Sequence, residues 1–281
     1  MVTFERTDPL FVINMSDGQN PKIMWQLKIP GYSTYLHPYD DNHLIWIGYD
    51  TSENDWGWII NTWVKVDLYQ VNYDKQCWDE DLTVEEKEKC DSWEYEWIII
   101  KQLATETFWW YRSYSEALYN PRMFMWKATE NKLFLPIQIY ESKEDEIYQT
   151  KDFYQWLLTI SIDPETWISE QSRLTHIDTT DIEKEREEEC SKYTPESLEK
   201  KCVELIWWWE YCESAKYSYV PEYCYATSTI GEYLASKSWN YRDSYIKRAL
   251  WVWDNVYSIS NSKITISDMD SGEIKTTWDL K

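Results

Sequence analysis

The sequence predicts an all-β fold of four-stranded antiparallel sheets, and three observations carry that reading. First, the C-terminal stretch 242–281 reads as four short strands, Ile246–Val252, Val256–Ile259, Lys263–Asp268 and Ile274–Trp278. They are separated by turns at Trp253–Asn255, Ser260–Ser262 and Asp270–Gly272. Short runs rich in Ile, Val, Tyr and Thr, punctuated by Asn, Asp, Gly and Ser, mark an antiparallel meander. Second, Ile264 and Ile266 alternate with Thr265 and Ser267, which gives one apolar and one polar face. Third, the same order of strands and turns returns along the chain, blurred by insertions. A four-stranded meander of this size is one propeller blade. The chain therefore reads as a partial β-propeller of about three and a half blades with two Cys-containing, partly helical insertions, at about 72–94 and 179–241.

Taken in order, Leu10–Asn14, a turn at Ser16–Pro21 and Lys22–Ile29 make half a blade. Residues 32–50 give two strands around Asp40-Asp41-Asn42, Trp63–Val71 gives a third, and Glu96–Leu103 a fourth after an acidic insertion. Residues 114–141 repeat the opening pair, turning at Thr129-Glu130-Asn131, and Tyr154–Asp163 with Ile168–Ile177 complete that blade. The terminal meander follows the second insertion. An array that does not close leaves strand edges and apolar blade faces uncovered. The expectation is an open arc, residues 1–281 being the C-terminal portion of one propeller completed by further N-terminal blades.

The charge excludes some partners. With 28 Lys+Arg against 50 Asp+Glu the formal net charge is -22, which repels nucleic acid and anionic membrane. No run approaches the ~18 apolar residues of a membrane span, and no basic-then-apolar signal peptide opens the chain.

One feature of the composition is abnormal: 20 Trp against 6 Gly. A turn-rich β protein needs glycine wherever φ is positive. Several tryptophans stand where glycine belongs. Trp167 closes the turn Asp163-Pro164-Glu165-Thr166, Trp253 precedes Asp254-Asn255 in a hairpin turn, and Trp207, Trp208 and Trp209 stand in a row. Two explanations are open. The codon UGA, glycine in some bacterial lineages and tryptophan in others, has been translated as Trp, or the chain presents a tryptophan-rich sugar-binding surface.

The phrases TDPLFVINMSDGQNPKI, LKIPGYSTYLHPYDDNHLIWIG, YSEALYNPRMF, LLTISIDPETW, RLTHID and YIKRALWVWDNVYSISNSKI resemble the secreted prokaryotic β-propeller proteins distantly related to WD40 repeats. The resemblance spans nearly all of the chain outside the insertions. It implies a secreted or cell-surface location, an export signal in a preceding N-terminal part, and glycine where this chain has Trp25, Trp46, Trp63, Trp156, Trp167 and Trp253. It implies no catalytic residues.

The insertions hold all six cysteines: Cys77 and Cys90 in the first, Cys190, Cys202, Cys212 and Cys224 in the second. An even number confined to loops, in a chain that resembles exported proteins, reads as disulfides. Cys77–Cys90 is the natural first pair, and the other four allow three connectivities. Zinc competes, but no C-x-x-C occurs, and His37, His43 and His176 lie in blade phrases. Thr83-Val84-Glu85-Glu86 reads as a capped helix start. Thr194-Pro195 opens a predicted helix running through Cys202, and a second starts at Thr227–Thr229 and runs to about Ser238.

Catalytic signatures are lacking: the sequence has no phosphate loop, no G-x-S-x-G, no H-E-x-x-H and no dinucleotide fingerprint. His37 and His176 read as structural hydrogen-bonding residues. Asp40 and Asp41 read as turn residues, since the calcium pattern D-x-D-x-D-G is absent. Asn14-Met15-Ser16 matches a glycosylation sequon by chance as easily as by design. Glu116 in YSEAL and the Lys247-Arg248 pair in YIKRAL hold corresponding places on the first strand of successive blades, the strand that lines a propeller's channel. They either hydrate the channel or form a binding surface there. The expectation is a non-enzymatic extracellular binding or scaffold module with a protein or glycan partner and no cofactor, metal or nucleic acid. The alternatives are a carbohydrate binder using exposed Trp, and a hydrolase using channel carboxylates.

Overall fold

The computed structural model describes residues 10–27, 31–53, 59–72, 82, 84, 87, 99–108, 112–143, 146–193, 200–205, 209–214, 220–225 and 228–280. Strands β1 (Leu10–Asn14) and β2 (Lys22–Leu27) pair as a hairpin. The second sheet is a four-stranded meander of β3 (Tyr32–Pro38), β4 (His43–Glu53), β5 (Ile59–Asn72) and β6 (Ile99–Phe108). In the third, β7 (Arg112–Tyr114) and β8 (Met125–Lys127) both pair with β9 (Lys132–Lys143), followed by β10 (Glu146–Asp163) and β11 (Trp167–Leu174). A two-stranded hairpin of β12 (Lys200–Leu205) and β13 (Trp209–Ser214) lies in the second insertion. The last sheet is the meander β14 (Arg248–Val252), β15 (Asn255–Ile259), β16 (Lys263–Asp268) and β17 (Ile274–Asp279). The architecture is a partial propeller of three blades and a half-blade, as the meanders predict.

The sheets stack in chain order, and alternation along each strand explains how. In β9, Leu133, Leu135, Ile137 and Ile139 turn to the second sheet, where they meet Ile45, Ile47, Val66 and Leu68. Phe134 points the other way and joins Leu157, Ala249 and Val256 against the last sheet. Because both faces are covered, the strand reads as a nearly unbroken apolar run, LFLPIQI. Each such buried side chain contributes roughly 1.5–3 kcal/mol of burial free energy. Leu10 and Leu27 of the hairpin cover Trp46, Tyr69 and Ile100 on the far face of the second sheet.

Among the described residues, the last sheet is covered on one side only. Leu250, Val252, Tyr257, Ile259, Ile264 and Trp278 share its other face by register, with Leu250 53% and Trp278 52% exposed.

Local chemistry accounts for the broken inner strand of the third sheet. β7 pairs with residues 138–140 of β9 and β8 with residues 132–134. Between those stretches sits Pro136, which has no N–H to offer a neighbouring strand. Its carbonyl instead accepts the Ser115 hydroxyl at 2.5 Å. The freed chain coils into two 3-10 turns, Glu116–Leu118 and Pro121–Met123.

The second insertion packs on the outer part of the third sheet. Helix α1 (Thr179–Cys190) starts at Asp178, whose carboxylate accepts from the Thr180 and Asp181 amides. Helix α2 (Ile230–Lys237) opens with a capping box of Thr229 and Glu232, which bears out a helix start at Thr229. Ile182, Tyr233 and Leu234 bury against Phe153 of β10. Gly231 makes this approach possible: a Cβ there would lie 1.5 Å from Asp152 Oδ1 and 2.9 Å from its Cα.

Three expectations need correction or limits. The helix predicted through Cys202 is strand β12 over residues 200–205, where Val203 and Leu205 stand on either side of Glu204; residues 194–199 lie outside the described residues. α1 was not predicted from the sequence. In the first insertion the expected cap Thr83 and the pair Cys77–Cys90 lie outside the described residues, while Val84 and Lys87 are helical.

Among the described residues, three non-glycine residues have φ in the left-handed region: Asn131 at 55°, Trp167 at 78° and Trp253 at 52°. Asn is common there, but a bulky aromatic is an outlier that costs on the order of 1 kcal/mol or more. Trp167 and Trp253 are also 57% and 80% exposed, so no packing repays the strain.

Candidate functional site

The sheets meet through backbone hydrogen bonds to side chains as well as through apolar packing. Gln155 of β10 donates from Nε2 to the Ile246 carbonyl at 3.2 Å and accepts the Ile246 amide at 2.9 Å. One interface earlier, the Ser113 hydroxyl accepts the Val64 amide at 2.6 Å. The two locks hold the inner strand of each sheet against the sheet before it.

These locks position Glu116 and Lys247. Glu116 is on the 3-10 turn after β7 rather than on a strand, with Ser115 as its N-cap. Lys247 lies just before β14 and its amide donates to the Ile259 carbonyl at 2.9 Å. Both residues line one small cavity of about 30 Å³, with Tyr114, Gln138, Gln155 and Tyr245. Burial, followed by the Glu116 carboxylate, raises the Tyr114 hydroxyl above its usual pKa. Burial pushes Tyr245 up to about 12. The cavity thus presents two phenols, two side-chain amides, one acidic and one basic side chain, beside Pro136, Ile137 and Ile246. Arg248 does not line it, because strand alternation sends neighbours to opposite faces, and Arg248 falls on the side of Leu250. A space of this size holds about one water.

The histidines are held structurally. His37 meets Tyr35 Oη at 3.3 Å through Nδ1 and packs 4.8 Å from the Phe124 ring. His43 Nδ1 lies 2.9 Å from the Asp40 carboxylate, which also accepts the Asn42 amide at 2.8 Å, so Asp40 is a turn residue. Asp41 is exposed in the same turn. Asn14 Oδ1 accepts the Ser16 amide at 2.8 Å in an exposed turn. Among the described residues, no group of three or more His, Cys, Asp or Glu is arranged to hold a metal.

Cys190 and Cys224 form a disulfide that ties the end of α1 to a 3-10 turn. This selects among the three connectivities and leaves Cys202 and Cys212, which are directly opposed in the β12–β13 register.

A larger cavity escaped the reading of the sequence. It has a volume of about 460 Å³ and lies between β6 of the second sheet and β10 and β11 of the third. Phe108, Ile139 and Leu158 line it, with Glu106, Thr107, Glu170 and Arg173. These residues come from four strands, β6, β9, β10 and β11, and no motif links them.

A family model for the beta propeller domain matches residues 1–92 and 99–202. The chain belongs to the beta propeller domain family. It is similar to an uncharacterised protein of Methanocaldococcus jannaschii, 56% identical over 50 residues, 18% of this chain and 8% of that protein. It is likewise similar to an uncharacterised protein of Archaeoglobus fulgidus, 52% identical over 48 residues, 17% of this chain and 8% of that one. Each match thus spans about a twelfth of the relative's length. No solved structure matches. Among the described residues no helix of this β-propeller chain is long and apolar enough to cross a membrane.

Proposed function

We propose that the chain is a non-enzymatic binding and scaffold module of a secreted or surface-exposed β-propeller, engaging its partner at the inner ends of its sheets. The observation that carries this reading is the convergence of Glu116 and Lys247, from successive blades, on one polar cavity. The cavity is too small to enclose a substrate. It suits a flat contact in which a partner's charged side chains meet both signs at once. Among the described residues Glu116 is the one carboxylate lining it, whereas glycoside hydrolysis needs a converging pair. The Cys190–Cys224 disulfide and the opposed Cys202 and Cys212 fit an oxidising compartment. The uncovered face of the last sheet, next to sheets covered on both sides, fits further blades of the same propeller as its cover, and a secreted WD40-like relative as its class.

The carbohydrate reading needs a coplanar platform of indoles. Among the described residues the exposed tryptophans are instead spread over turns and opposite edges: Trp167 and Trp253 on turns, Trp239 on the 3-10 turn after α2, Trp251 on β14 and Trp278 on β17. The left-handed φ of Trp167 and Trp253 favours glycine at these positions in the native protein, through UGA read as glycine.

The experiment is a binding screen of the purified chain against a glycan panel and a random peptide library, with Glu116→Lys and Lys247→Glu tested in parallel. Peptide binding lost in both variants, with the fold retained, supports the module. Glycan binding that survives both points to the indoles, and turnover of any panel member contradicts a non-enzymatic role.

A further inference from the structure

We propose that the cavity between the outer strands of the second and third sheets binds a small organic amine, an ammonium group carried on an apolar body. The site is independent of the surface around Glu116 and Lys247. Its lining is built for two kinds of contact. Phe108, Ile139 and Leu158 are 6%, 3% and 0% exposed, so the inner lining is fixed, close-packed and apolar. About 460 Å³ is within the range of cavities that enclose small ligands.

The charge at the lining is negative and unevenly compensated. Arg173 is already committed. Its Nε and Nη2 both reach the Glu170 carboxylate, the second at 3.0 Å from Oε2. Glu170 is paired with that guanidinium. Glu106 has no ion-pair or hydrogen-bond partner among the described residues, although it lines the same space. Burial, followed by the nearby Glu170 charge, holds its carboxyl above the usual pKa. An ammonium group seated beside Glu106 would supply the missing partner, while its apolar remainder covered Phe108 and Leu158. An anion would find the guanidinium occupied and Glu106 repelling it. A hard divalent ion needs about six or more oxygen ligands; Thr107 and the two carboxylates offer fewer, and Glu170 is already paired with Arg173.

The test is a calorimetric titration of the purified chain with n-hexylamine, protonated at pH 7, with hexanoate and 1-hexanol as controls. Hexylamine is expected to bind saturably, 1-hexanol more weakly and hexanoate not at all. Glu106→Gln keeps the volume and should weaken hexylamine by roughly tenfold or more with an unchanged thermal midpoint. Glu106→Asp should retain most of the binding. Equal binding of amine and carboxylate, unchanged affinity in a folded Glu106→Gln variant, or the absence of saturable amine binding would each overturn the assignment.

Discussion

His176 Nε2 lies 2.8 Å from Ser258 Oγ, joining the segment that leaves one blade to the second strand of the next. Both residues are buried, and the Ser258 hydroxyl also reaches the Thr265 carbonyl at 3.3 Å. His176 Nδ1 is buried without a hydrogen-bond partner among the described residues. Burial, with Lys263 adding to it, pushes the imidazole down to about 4. The folded chain therefore holds a neutral ring where the unfolded chain protonates near ~6.5.

The sign follows directly. Stability from the neutral ring is fully present above ~6.5 and is lost as the pH falls towards 4, by about 3 kcal/mol across that window. Urea unfolding at pH 7 and pH 4.5 should show that loss, and His176→Gln should remove this share of the pH dependence while lowering stability at pH 7. An identical pH slope in the variant would contradict the assignment.

The Gln155 lock can be removed without changing side-chain size. Gln155→Leu leaves the Ile246 amide and carbonyl buried and unpaired, at a cost of roughly 2 kcal/mol or more. A lower denaturation midpoint with an unchanged m-value is the expected result.

Gly231 is the point of closest approach between α2 and β10. Gly231→Ala should destabilise by about 1–3 kcal/mol, because the clash involves the Asp152 backbone as well as its movable carboxylate. Thermal denaturation measures it. In an open helix the same change would stabilise, so the sign alone is diagnostic.

Cys190 and Cys224 are separated by 34 positions, and closing a loop of that length contributes about 3–4 kcal/mol in the chain-entropy account. In the Cys190→Ser/Cys224→Ser variant, amide exchange should quicken in α1 and α2 well before the sheets are affected, as expected of a layer attached to the rim.

Much of the fold is legible in the residues. β16 follows from the alternation of Ile264 and Ile266 with Thr265 and Ser267, and α2 from Thr229 with Glu232. α1 escapes because EKEREEE carries almost no apolar face: only Ile182 is buried, so a 3.6-residue period has nothing to show. β12 is hidden because Thr194-Pro195 has the form of a helix start, while Val203 and Leu205 are separated by one polar residue, Glu204, too short a pattern to mark a strand. For the site, the correspondence of YSEAL and YIKRAL brings Glu116 and Lys247 to the same cavity. That correspondence does not foresee the turn opposite Pro136 or the face that Arg248 takes. The amine cavity depends on Glu106, Glu170 and Arg173 meeting across two sheets, which local patterns do not encode.

Whether this propeller is a scaffold or an indole-lined sugar binder turns on the tryptophans, and peptide mass spectrometry of the native protein over residues 152–173 reads two of them, Trp156 and Trp167. Glycine at both positions is the expected result, consistent with the left-handed φ of 78° at position 167. Tryptophan at both would contradict it and would make a sugar-binding surface the reading to pursue.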